Sequence, residues 1–225
     1  MHIEITHAHK TFDGVMALDD VTLGVAAGER VALTGPNGSG KSTLVRALMG
    51  LVPCGGIRID GRDAFSARAG LARDLSYVPQ IAPSLTAPVD EVVAAIAALR
   101  GIARDDVAAV ADALALPLAQ VGARPVRALS GGMKQKLLIA LALASPASLV
   151  VLDEPTASLD RASREAFFAL IEARAPHATL VLGTHRADEI RRLADRVITL
   201  ETGRVVSDEL VSQWLARREG WQACA

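Results

Sequence analysis

The sequence predicts an α/β protein: a mostly parallel sheet with helices on both faces, an N-terminal antiparallel β-subdomain and an inserted helical lobe. Three observations predict this. Apolar runs of strand length recur at residues 30–34, 149–152 and 179–183, and helical stretches follow the first two. Residues 2–33 read as short strands broken by the turn signals Asp13-Gly14 and Ala27-Gly28-Glu29. Residues 82–128 are Ala-rich with helical periodicity, punctuated by Pro83, Pro88, Gly101, Pro117, Gly122 and Pro125.

In chain order, residues 2–6, 21–25 and 30–34 are expected as strands, with residues 10–14 as a loop carrying Phe12. Residues 55–61 and 74–78 read as two more strands, the second running into Pro79-Gln80. Helices are expected over 89–100 and 105–116 within a lobe spanning 82–135. Another helix follows Leu129-Ser130-Gly131-Gly132-Met133. The apolar strand ending at Leu152 leads to Asp153-Glu154, a turn at 155–160 and a helix at 161–174. The strand at 179–183 ends in Thr184-His185, and a hairpin covers 196–206. The expected organisation is one domain over 1–225: a core of 1–81 and 136–206, the lobe, and a polar helical tail at 207–225 with Trp214 on one face.

The chemistry centres on Gly35, Pro36, Asn37, Gly38, Ser39, Gly40, Lys41, Ser42 and Thr43, between a strand and a helix. Strand, Gly-rich turn and helix together make a phosphate-binding loop. Its glycines let the backbone approach phosphate oxygens, and its amides and the helix start point at the anion. Lys41 reaches β- and γ-phosphates, and the Ser42 hydroxyl suits Mg²⁺. Asp153 and Glu154 end a buried strand, where α/β proteins bind ligands. Asp153 suits a metal through water, and Glu154 can accept a proton from an attacking water. His185 ends another buried strand and can hydrogen-bond a phosphate or position water. On their own residues, Gln80 reads first as a polar loop residue, with a metal contact as the alternative, and Ser130 first as an ordinary N-cap, with a second anion-ready terminus as the alternative. Phe12 reads as a base-stacking aromatic or a satellite of the core.

A net charge of -1 and a pI near 6.5 argue against a nucleic-acid binder. Cys54 and Cys224 lack metal-ligand spacing and are expected as free thiols in a reducing compartment. No signal peptide is visible, and the most apolar stretch, 137–152, is split by Ser145-Pro146 into pieces too short to cross a bilayer. A soluble chain is expected.

These pieces, in this order, resemble the ATP-binding subunit of ABC transporters over residues 2–206. Residues 35–43 resemble that family's Walker A motif within a P-loop NTPase core, Gln80 its Q-loop, and 129–133 its signature. Residues 149–154 resemble Walker B with the catalytic glutamate, 158–160 the D-loop, and Thr184-His185 the H-loop. Phe12 falls at the adenine-stacking position. The resemblance implies ATP and Mg²⁺ as ligands, with Ser42, Gln80 and Asp153 toward the metal. It implies a head-to-tail homodimer, or a dimer with a related ATPase subunit, in which each ATP lies on one copy's loop and faces Ser130, Gly131 and Gly132 of the other. Lys41, Glu154 and His185 would serve hydrolysis, and Asp160 would couple the two sites. Integral membrane permease subunits are the implied partners, at the cytoplasmic face of the cell membrane. Two departures stand out: Met133 where the family most often has Gln, and Arg186 where an acid is common. The run Gly132-Met133-Lys134-Gln135-Lys136 resembles stand-alone exporter ATPases, including the copper-related type of nitrous oxide reductase maturation, so export is expected. Other ABC-type ATPases act on DNA or ribosomes, but they carry long coiled coils or tandem units, and neither heptads nor a repeat occurs here. A regulatory module without hydrolysis would not need Glu154 and His185.

Overall fold

The computed structural model describes residues 1–222, with side chains described to Arg218. Cys224 lies outside the described residues. The chain opens with β1 (Ile3–Phe12), β2 (Val15–Val25), β3 (Arg30–Thr34), α1 (Lys41–Leu48), β4 (Ile57–Ile59), β5 (Arg62–Asp63) and α2 (Arg68–Leu71). There follow β6 (Leu75–Val78), α3 (Val89–Arg100), α4 (Arg104–Ala113), α5 (Leu118–Val121), a 3₁₀ turn at Val126–Ala128 and α6 (Gly131–Leu143). The remainder is β7 (Leu149–Asp153), α7 (Arg161–Arg174), β8 (Thr179–Gly183), α8 (Ala187–Leu193), β9 (Arg196–Glu201), β10 (Arg204–Leu210) and α9 (Val211–Gln222). The α/β class stands, with one antiparallel and one mostly parallel sheet. Two compact units divide the chain. One comprises Met1–Leu75, Ser148–Asp153 and the chain from His177; the other comprises Ser76–Ala147 and Glu154–Pro176.

The first unit holds an antiparallel sheet in the order β2-β1-β4-β5. Residues 10–12, expected as loop, are strand. The β1–β2 pair accommodates them through register shifts, with His7 and Asp20 in the left-handed region. A 2.7 Å contact between His7 Nδ1 and Asp20 Oδ1 closes that irregularity.

The second sheet in this unit runs β10-β9-β3-β8-β7. β3 lies parallel to β8 and β9, β7 lies parallel to β8, and β10 is antiparallel to β9. Every residue of β7 and β8 is buried, as the unbroken apolar runs require of strands covered on both faces. Trp214 of α9 packs against Ala32, Ile190 and Val197. The polar helix expected from 208 begins at Val211, because β10 continues to Leu210. Arg196 fixes that continuation: its guanidinium makes two 2.5 Å bonds to Asp208 and a third, at 3.0 Å, to Glu29. Asp208 keeps that guanidinium protonated well above its ordinary range.

The second unit is mainly helical. α3 and α7 fall where the periodicity places them. Two Pro-punctuated segments pair through backbone bonds: Val89 N–H to Arg124 O and Val126 N–H to Ala87 O, both at 3.0 Å. Ser76 Oγ donates to Ala142 O at 2.7 Å, satisfying a buried hydroxyl beside the end of α6.

Candidate active site

Beyond Thr34 the chain turns into residues 35–40. Gly35 has φ +137°, and a Cβ there would stand 2.0 Å from Leu200 O, so no side chain fits. Ser39 N–H closes the loop on Pro36 O at 3.2 Å, and Gly203 N–H of the β9–β10 turn ties Ser39 O at 3.0 Å. Pro36, Asn37 and Gly38 form an exposed crest; Ser42 and Thr43 are half-buried at the start of α1. Lys41 opens that helix and its ammonium arches back over the loop. It donates to Gly35 O at 2.8 Å and Pro36 O at 2.9 Å, and lies 3.4 Å from Ser39 Oγ. Gly40 takes the N-cap position and no side chain caps the helix. The helix start therefore offers backbone amides and the positive end of its dipole.

Register brings other predicted residues to this edge. Leu33 pairs with Gly183, and Gly183 with Asp153, so three parallel strands end level. Thr184 N–H donates to Leu33 O at 3.1 Å, which sets Thr184-His185 beside the strand that feeds the loop. Asp153 is 2% exposed, and its Oδ1 would lie 3.0 Å from any Cβ on residue 183. His185 is exposed and lines a cavity of about 800 Å³ together with Gly35 and Pro36. Trp214, Arg217 and Arg218 line it too, and sequence reasoning missed the two arginines. Their signal was the spacing 214, 217, 218, which is one helix face. Arg218 sits 4.7 Å over the Trp214 ring, and Arg217 pairs with Glu209. Phe12 is 42% exposed, with Lys10 Nζ 5.1 Å from its ring, so it is not a core aromatic.

Arg186 gains a structural account. It lies 3.2 Å from Asp188 and 3.4 Å from Glu189, both in the first turn of α8, and Glu189 is wholly buried. A cation here offsets a buried carboxylate.

The second unit holds Gln80, Ser130, Gly131, Gly132, Glu154 and Asp160. Gln80 is exposed, two residues past β6. Ser130 caps α6, its Oγ accepting from Met133 N–H at 3.2 Å. Glu154 is buried and has φ +48°, a strained angle for a side-chain-bearing residue. The segment after it lies along α6. A Cβ on Gly132 would stand 2.8 Å from Ser158 O, Gln135 Nε2 donates to Pro155 O at 3.0 Å, and Lys136 Nζ is 3.6 Å from Asp160 Oδ2. Asp160 caps α7, accepting from Ser163 N–H at 2.8 Å and Ser163 Oγ–H at 2.9 Å. Those bonds, with Lys136, hold its carboxyl below the usual range.

The donors suit magnesium. Ser42 and Asp153 are hard oxygen ligands. Among the described residues no group of three or more His, Cys, Asp and Glu gathers to hold a metal alone. Few protein ligands, completed by substrate phosphates and water, is the mode magnesium favours.

The sequence matches the family described as ABC transporter over residues 18–157. The chain belongs to the ABC transporter ATP-binding family. It is 38% identical over 215 residues to the cobalt import ATP-binding protein of Rhodobacter capsulatus, covering 91% of this chain and 77% of that protein. Further curated relatives at 36–42% identity are likewise named as import proteins. The cassette spans only 58% of the ferric-ion relative and 41% of the arabinose relative. Its fold superposes on a bacterial Atm1-family ABC exporter with ATP bound, at TM-score 0.85 and 28% identity, over all of this chain and 42% of that one. It also superposes on a dimeric bacterial ABC transporter cassette, at TM-score 0.80 and 25% identity, over 93% and 98% of the two chains. The chain is an ATPase of this family. The expectation of export finds no support among the curated relatives, and the likeness to nitrous oxide reductase maturation ATPases stays a resemblance. Among the described residues no helix is long and apolar enough to cross a membrane.

Proposed function

We propose that this cassette is the ATP-hydrolysing subunit of an ABC transporter, working as a head-to-tail dimer at the cytoplasmic face of the membrane. The observation that carries this is the level ending of β3, β8 and β7, which sets the loop, His185 and Asp153 on one edge. The triphosphate of ATP lies on residues 35–43, with Lys41 exchanging its loop carbonyls for β- and γ-phosphate oxygens. Phe12 stacks on the adenine. Ser42 and Asp153 would hold Mg²⁺, with Gln80 contributing; when bound, the ion would offset phosphate charge. Glu154 takes the proton of the attacking water, and His185 holds the γ-phosphate. Ser130, Gly131 and Gly132 meet the ATP held by the second copy, and Asp160 lies where the two sites communicate. An integral membrane permease subunit receives the motion, and cargo and direction are assigned to that partner. Nucleic acid has no part in this reading.

The test is Glu154→Gln. It should bind ATP normally, accumulate as a dimer on size exclusion with ATP, and hydrolyse at least about 100-fold more slowly, the scale of a lost general base. Turnover near wild type would remove Glu154 from this role.

A further inference from the structure

The mechanism above leaves the buried carboxamide of Gln135 unused. Gln135 is 4% exposed, and it lies on the apolar stripe of α6 with Ile139, Ala142 and Leu143, at i, i+4, i+7 and i+8. A carboxamide in that position needs a partner. It has one: Nε2 donates to Pro155 O at 3.0 Å, in a fully buried bond.

The acceptor matters because of what precedes it. Pro155 directly follows Glu154, whose backbone sits at φ +48°. Pro155 has no N–H, so its carbonyl is the only backbone hydrogen-bonding group of that residue. Ala157 N–H closes on Glu154 O at 3.3 Å, and Leu159 N–H on Thr156 O at 3.0 Å. These two bonds shape the turn locally. The Gln135 bond reaches the Pro155 carbonyl from another element, α6. Gly132, about one turn earlier on α6, and Lys136, the next residue, meet Ser158 and Asp160 of the same segment. The first half of α6 is thus a splint laid along residues 154–160.

We infer that Gln135 is a positioning residue for hydrolysis: through the Pro155 carbonyl it fixes the strained turn that aims the Glu154 carboxylate. The helix that carries Gln135 begins at Ser130, so the same bond links the signature end of a chain to that chain's own glutamate. This rests on Glu154 as the base.

The test is Gln135→Met, which keeps length and packing and removes the donor, measured beside Glu154→Gln. ATP stoichiometry and Kd come from calorimetry, and hydrolysis is expressed per binding site, so that unfolded protein does not count. A misaimed base should lower kcat about tenfold while KM and Kd for ATP stay within twofold, because a small displacement of a reacting group costs rate rather than binding. Gln135→Glu, which presents a carboxylate to the same carbonyl, should fall at least as far and serves if Gln135→Met does not fold. If Glu154→Gln stops hydrolysis while both Gln135 variants keep wild-type kcat per site, the positioning role is wrong and the base stands. If Glu154→Gln hydrolyses normally, the reading beneath it fails first. A Gln135 variant whose loss appears in Kd as much as in kcat would also overturn it.

Discussion

Two helix starts in this cassette have nearly the same composition and different chemistry. Both have glycines at the entry, before the first residue of α1 and as the first two residues of α6, and both end an irregular segment. At α1 the N-cap is Gly40, no side chain caps the helix, and Lys41 lies across the loop. At α6 the N-cap is Ser130, whose hydroxyl already takes the Met133 amide. In the proposed function the first start is an anion cradle. The other is a capped helix end that can face a charge presented to it. A Gly-rich turn before a helix is therefore half an observation; the cap and the cation decide what the turn is for.

That contrast can be broken by mutation. Lys41→Ala should act most strongly, weakening ATP about 100-fold by calorimetry, as expected for two charge-assisted hydrogen bonds at roughly 1.5 kcal/mol each. Unchanged affinity would show that the cradle does not need its cation. Gly35→Ala should come next. The added methyl meets Leu200 O and the backbone is strained, so the melting temperature should fall by about 5 °C or more and ATP affinity with it. A wild-type melting curve would mean the loop tolerates rearrangement. Ser130→Ala should be smallest at the phosphate loop. Loss of the cap costs about 1 kcal/mol, or roughly 3 °C, while ATP affinity of the separate chain, measured at protein concentrations too low for dimers, stays within twofold. If it weakened ATP binding as much as Lys41→Ala, the two helix starts would be equivalent and the contrast would collapse.

Much of this was legible in the residues. The apolar runs at 149–152 and 179–183 read as covered strands, and the structure buries every residue of both. Helices α3 and α7 followed from period and punctuation. What escaped depended on long-range partners. Residues 10–12 look like loop because strand pairing here tolerates left-handed angles at His7 and Asp20, which no local pattern signals. Asp208 looks like the start of a polar tail until Arg196, twelve residues earlier, is seen to hold it in β10. Arg186 was inexplicable beside the histidine, yet the buried Glu189 three residues on asks for a cation. Gln135 carried a usable signal, a lone amide on an apolar stripe. The expectation of export came from five residues, Gly132 to Lys136, too short a run to weigh against curated relatives that are named as import proteins.

The tie from Gly203 to Ser39 has a consequence for energetics of binding. Because the β9–β10 turn and Lys41 already hold the loop in shape, ATP has little chain to order when it arrives. The conformational entropy of the loop was spent in folding, so little of the binding free energy goes into ordering chain, and the gain enters Kd itself. At a hundredfold excess over Kd, ATP then protects the folded chain by about 2.7 kcal/mol. A change that loosens the loop should therefore raise the ATP concentration needed to reach a given thermal shift.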